Sequence, residues 1–238
     1  MEKYTIQDKQ KFDEIMWNKN QQSNIENIFY KKTEKYIKFI KWIPWIRMIW
    51  IWNSISMNSA TKDSDIDLLI VTENKKIWLV RILVTIIFQI LNVRKNDKHH
   101  AWRFCLSFFC TLNWLDFWKI KLKKDPYLYF WILYFKPILD YNWTYELFLK
   151  KNESWADLSN FKKDINKNKT YIKYNKTPKI YNYLNIWEIL NKIFKKIFLP
   201  KTISSYNKIN KPYGIIISDD ILKFHNWDIR KEISKKMW

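Results

Sequence analysis

Apolar positions along residues 5–41 recur at helical spacing and break near Asn18–Ser23, which predicts two helices closed by Pro44. Two short apolar runs follow, RMIWIW (47–52) and DIDLLIV (65–71), each read as a buried strand. A polar loop at 53–64 joins them. Residues 76–92 form a helical run, and HHAWRFCLSFFC (99–110) a third, aromatic strand. Strands alternating with helices predict an α/β or α+β sheet domain. Further helices are expected over 126–139, where Asp125-Pro126 marks the start, and over 143–151. The Lys- and Asn-rich stretch 159–179, with Pro178, reads as a linker or exposed loop. An amphipathic helix over 181–199 places Tyr183, Trp187, Leu190, Phe194 and Ile197 on one face, with Lys192, Lys195 and Lys196 on the other. Residues 215–218 suggest a short strand, and 219–233 a terminal helix or hairpin. Two parts result: a sheet domain over 1–155 and a basic linker with a helical C-terminal extension over 156–238.

The run 77–91 is very apolar, yet it holds Arg81, Thr85 and Gln89 and falls short of the roughly 20 residues a span requires. The stretch 36–52 is broken by Lys38, Lys41, Pro44 and Arg47. No integral membrane span is expected.

Charge adds a partner class. The net charge is +20 over 238 residues. It points to a polyanion, such as RNA or an anionic membrane face, or else to an AT-rich codon bias, since Arg occurs only at 47, 81, 94, 103 and 230. Composition carries a second signal. The chain has one glycine and 15 tryptophans, where roughly 17 glycines are expected at about 7% usage. Trp52, Trp114, Trp143 and Trp227 each stand beside an asparagine, where turns take glycine. A UGA codon decoded as glycine in the cell but translated conceptually as tryptophan produces this pattern. Trp17, Trp45, Trp78, Trp131 and Trp187 lie in apolar or helical contexts and read as true tryptophans. Cys105 and Cys110, five apart on one strand, are expected on opposite faces and unpaired, which with the polar N-terminus fits a reducing cytoplasm.

Asp65 and Asp67 carry the candidate chemistry. Side chains at i and i+2 of a strand share a face, about 6–7 Å apart. Two such carboxylates repel unless a cation joins them, and Mg²⁺ takes one or two carboxylates together with substrate phosphates. Taken alone, the pair also fits a solvated strand edge or a turn cap. Ser54 stands eleven residues before Asp65, and a hydroxyl with free amides makes a cradle for phosphate oxygens.

The stretch IWIWNS–ISMNSATKDS–DIDLLIV resembles the motif of the nucleotidyltransferase superfamily related to DNA polymerase β. In that motif a hydrophobic residue, Gly, and Gly or Ser precede Asp-x-Asp on a strand by about ten residues. The departure is at the glycine, where Trp52 and Asn53 precede Ser54. The resemblance covers about 44–72 strongly and the rest weakly. It implies a five-stranded mixed sheet flanked by helices, Mg²⁺ held by Asp65 and Asp67, and triphosphate held by Ser54 with nearby Asn53 and Ser64. It also implies transfer of a nucleoside monophosphate from a nucleoside triphosphate, such as ATP, onto a hydroxyl. Active members add a third carboxylate, for which Asp116 is the choice, with Asp97 the other option. Lys62, Asp63, His99 and His100 read as surface groups, Arg81 as snorkelling or acid-paired, and Arg103 is left open. Three functions stand side by side: a nucleotidyltransferase, an inactive nucleotide- or RNA-binding relative, and a basic peripheral membrane protein.

Overall fold

A computed structural model describes residues 1–19, 21–176, 186–208, 214–224 and 229–238. Tyr183, Pro178, His225 and Trp227 lie outside the described residues. The fold is mixed α+β. Among the described residues, helices α1 (Ile6–Ile15) and α2 (Asn24–Ile40) precede β1 (Ile46–Ile51) and β2 (Ile66–Thr72). Then come α3 (Ile77–Ile90), β3 (Phe104–Thr111), α4 (Pro126–Tyr134), β4 (Lys136–Asp140), α5 (Thr144–Asn152) and α6 (Lys162–Lys169). The chain ends with α7 (Ile186–Lys208), β5 (Ile215–Ile217), β6 (Ile221–Phe224) and α8 (Arg230–Met237).

The six strands form one sheet in the order β4-β1-β2-β3-β6-β5. Only β2 and β3 run parallel, joined by the crossover helix α3; the other neighbours are antiparallel. One face, with Met48, Trp50, Leu69, Val71 and Phe108, packs under α1, α4, α5 and α8. The opposite face, with Ile49, Ile51, Leu68, Ile70 and Phe109, packs under α2, α3 and α7. A strand covered on both faces has no polar side to display. That is why β1 and β2 read as unbroken apolar runs.

Local chemistry sets several boundaries. Thr5 with Asp8, and Ser23 with Glu26, form capping boxes that start α1 and α2. Asp125 caps α4, and Pro126 occupies its first turn, as the sequence predicts. The helix expected over 126–139 nevertheless stops at Tyr134, and Lys136–Asp140 is a strand. Pro137 is the reason: it disfavours helical backbone at the residue before it, and it is tolerated on an edge strand, which β4 is. The segment read as a linker contains α6, anchored where Asn168 Nδ2 donates 2.6 Å to the carbonyl of Leu133. Helix α7 continues through Pro200 to Lys208. It buries its Trp187–Leu190–Phe194–Phe198 stripe against the sheet domain, leaving Ile197 half exposed in place of Phe198. Asn191 of α7 accepts the amides of Trp78 and Leu79 at 3.0 Å each, capping α3, whose own N-cap residue Lys76 makes no side-chain cap. The C-terminal part thus supplies strands β5 and β6 to the common sheet as well as helices.

Among the described residues, three tryptophans adopt left-handed backbone: Trp17 (φ 56°), Trp102 (φ 63°) and Trp143 (φ 57°). Trp17 follows the C-cap of α1. Its amide bonds the carbonyl of Glu14 at 3.2 Å, and the Asn18 amide bonds that of Asp13 at 2.8 Å. This is the helix-ending motif whose left-handed residue is ordinarily glycine. Trp17 therefore belongs with the glycine-like positions rather than with the core tryptophans. Asn142 (φ 55°) and Trp143 form a consecutive left-handed pair, the backbone that Asn-Gly provides. Trp52 is corrected the other way, since its buried ring packs 4.7 Å from Trp131 and 5.8 Å from Phe108. Trp45, Trp78 and Trp131 are buried as expected.

No helix among the described residues is long and apolar enough to cross a membrane.

Candidate metal and phosphate site

The site lies where β1 ends and β2 and β3 begin. β1 runs antiparallel to β2, and β2 runs parallel to β3. The chain leaving Ile51 and the chains entering Ile66 and Phe104 therefore meet at one end of the sheet.

Beyond β1 the chain turns at Asn53, whose φ is 58°. The Asn53 carbonyl accepts the Met57 amide at 3.0 Å and the Ser56 hydroxyl at 2.9 Å, and the Ser54 carbonyl accepts the Ser59 amide at 2.8 Å. The loop is fastened from outside. Glu26 Oε1 accepts the Ala60 amide at 3.0 Å, and Tyr30 donates to the Ile55 carbonyl at 3.2 Å. Ser64 closes the loop, its hydroxyl accepting the Thr61 amide at 2.9 Å and its carbonyl accepting that of Trp102 at 2.9 Å. Ser54, half-buried, and Asn53 sit at the turn itself.

Asp65 and Asp67 converge. Their carboxylate oxygens and Cys105 Sγ lie within 4.8 Å of one another. Asn53 Nδ2 donates to Asp67 Oδ2 at 2.8 Å, tying the turn to the pair. Lys95 Nζ contacts Asp65 Oδ2 at 2.6 Å. Burial, with the neighbouring Asp65 charge, pushes the Asp67 carboxyl up to about 7, against the opposing pull of Asn53 and Lys95. Burial alone lowers Lys95, yet its hydrogen bond to Asp65 holds it above the ordinary lysine range. Burial and the Asp67 charge push the Cys105 thiol far up, so it is a neutral thiol at pH 7.

Asp116 is not brought to this cluster. It follows Thr111, at the far end of β3, and accepts the Trp118 amide at 3.0 Å as the cap of a 3-10 turn. A chain running parallel to β2 carries Asp116 away from the acids that open it. Asp97 also stays out of the trio, its carbonyl meeting the His100 ring at 3.0 Å. Arg103 turns to the carbonyl and side chain of Asn92. The residues missed in the sequence are Cys105 and Lys95. Register was the available signal, because parallel pairing sets Cys105 against Asp67. A shift between Asp67 and Leu69 in that pairing also changes which face later β3 residues take. Cys110 thus packs in the same cluster as Leu69, on the face of Asp67, rather than opposite Cys105. Both cysteines are free.

Comparison with protein-family models, with curated proteins and with solved structures gives no match.

Proposed function

We propose that the chain is a metal-dependent nucleotidyltransferase of the polymerase β-like kind, moving a nucleoside monophosphate from a nucleoside triphosphate to an acceptor hydroxyl. One observation carries this reading: the Asn53 side chain bonds Asp67 while Asp65 and Asp67 converge, so a polar turn and a carboxylate pair form one unit. Asp65 and Asp67 suit Mg²⁺, being hard oxygen donors whose mutual repulsion a divalent cation relieves. When bound, the ion supplies neutralisation of phosphate charge. Asn53 orients Asp67, and the Asn53–Ser54 turn receives the β- and γ-phosphates. The acceptor oxygen bonds the α-phosphorus, the bond from that phosphorus to the bridging oxygen breaks, and pyrophosphate leaves. The acceptor proton passes to solvent water, since a neutral Cys105 thiol is no base. The +20 charge favours RNA or another acidic acceptor, and two free thiols favour the cytoplasm.

The same Cys105 supports a second reading. A thiol beside Asp67 and a lysine on Asp65 suit a relative that holds nucleotide without turnover. Purified protein with Mg²⁺ and labelled nucleoside triphosphates separates the two. Label transfer abolished by Asp67→Asn supports the enzyme. Nucleotide binding without transfer supports the binder, and no Mg²⁺-dependent binding overturns both.

A further inference from the structure

A cavity of about 620 Å³ opens beside the acid pair, between α3, α7 and the start of β3. That size suits a small organic ligand, since such sites hold roughly 300–1,000 Å³. Lys95 and Cys105 line it, so it is continuous with the candidate site. The other charged groups facing it are Arg81, Arg94, Lys201 and Asp97.

Arg81 is the telling residue. The sequence suggests that it snorkels or pairs with an acid; it is partly buried, and among the described residues it pairs with no acid. Its guanidinium lies 5.2 Å from the Trp78 ring and 4.7 Å from the Phe224 ring and donates to Thr202 Oγ1 at 3.3 Å. Among the described residues no carboxylate forms an ion pair with Arg81, Arg94 or Lys201. A largely buried cation without a counter-charge is costly, and a bound anion offsets that cost. Setting Lys95 against Asp65 and one cation against Asp97 leaves two positive charges. A phosphate monoester carries about −1.5 to −2 at pH 7. Two planar guanidinium groups match its oxygens bidentately. The walls Ile82, Leu106, Phe198 and Phe224 suit an organic body.

Position separates this ligand from the nucleotide. In the strand order β1-β2-β3 the Asn53–Ser54 turn flanks Asp67 on the β1 side, and the cavity flanks it on the β3 side. Two ligands approaching the acids from opposite flanks are the two substrates of a transfer. Resting on the transferase reading, we propose that this cavity is the acceptor site. The acceptor is a small phosphorylated alcohol, its phosphate held by Arg81 and Arg94 and its hydroxyl directed toward the Lys95–Asp65 pair at the mouth of the cavity.

Calorimetric titration with inorganic phosphate at low ionic strength tests this. Wild-type protein binds one equivalent at the cavity. Arg94→Gln and Arg81→Lys, each checked for fold by circular dichroism, weaken it by roughly tenfold to a hundredfold, as expected when a charged hydrogen bond of about 1.5–3 kcal/mol is lost. Lys150→Gln, at an exposed position of α5, leaves affinity unchanged. A saturating Mg²⁺ complex of a non-hydrolysable nucleotide leaves phosphate binding intact. Absence of binding, affinity unchanged from wild type in both arginine variants, or competition by the nucleotide overturns the assignment. Asp67→Asn retains phosphate binding. If phosphate binds through the arginines while no nucleotide binds wild type, the anion site stands and the transferase reading falls.

Discussion

Asn53 Nδ2 donates to the buried Oδ2 of Asp67 at 2.8 Å, joining the turn after β1 to the first residues of β2. This bond holds together parts of the chain fourteen residues apart.

The Asp67 carboxyl, pushed up to about 7 by burial and Asp65, binds its proton more tightly in the folded chain than in the unfolded one. Folding therefore loses stability as pH rises from about 4, the ordinary Asp value, toward 7, and the loss persists above. Asp67→Asn removes that drift. Urea unfolding at pH 5 and pH 8 should show the variant gaining on wild type as pH rises. Equal differences at both pH values refute the buried-acid account.

A divalent cation answers the same repulsion. Mg²⁺ should raise the Tm, and more at pH 8 than at pH 5, because protons compete for the carboxylates at the lower pH. At a hundredfold excess over Kd the gain is about 2.7 kcal/mol. Asp67→Asn should abolish the shift. An equal shift in that variant places the cation elsewhere.

Glu26 holds the loop from a distance, since it caps α2 through Ser23 and accepts the Ala60 amide. Glu26→Ala should cost about 1–3 kcal/mol, the penalty of orphaned buried polar groups. Backbone exchange should quicken selectively at Ala60 and its neighbours. Exchange that rises uniformly across the chain points to general destabilisation instead.

The left-handed tryptophans make a prediction about composition. An L-residue in that conformation costs roughly 1–2 kcal/mol that glycine does not. Trp17 and Trp143 are 85% and 77% exposed, so their rings contribute little packing. Trp17→Gly and Trp143→Gly should each stabilise the chain by about 1 kcal/mol in denaturant unfolding. Trp50→Gly, in the core, should destabilise it by at least about 3 kcal/mol. Codons for Trp17 and Trp143 that read UGG rule out recoding there, whatever the stability result.

Asn191→Ala tests whether α7 is part of the domain. Its cap on α3 crosses between helices, and the loss should cost about 1 kcal/mol. Limited proteolysis should then release α7 sooner. Unaltered stability and cleavage mean that the cap is dispensable.

Much of the frame was legible because its signals are local. Asp125-Pro126, Pro44, apolar strand runs and the i, i+2 spacing of Asp65 and Asp67 depend on neighbours in the chain. The β4 strand was hidden inside an apolar run, where helix and buried strand share a composition and only Pro137 distinguished them. Helix α6 was hidden by its polarity, its buried residue being Asn168, which bonds the Leu133 carbonyl.

What the sequence determined by itself is the acid pair, its preceding serine-bearing turn and the alternation of strands and helices around them, because short-range sterics and side-chain period settle those. Tertiary structure alone decided which groups complete the site. Parallel pairing of β3 set Cys105 against Asp67 and carried Asp116 to the other end of the sheet, and packing of α7 on α3 set Arg81 against Thr202. Strand register and helix docking join residues with no fixed spacing along the chain, so no local pattern records them.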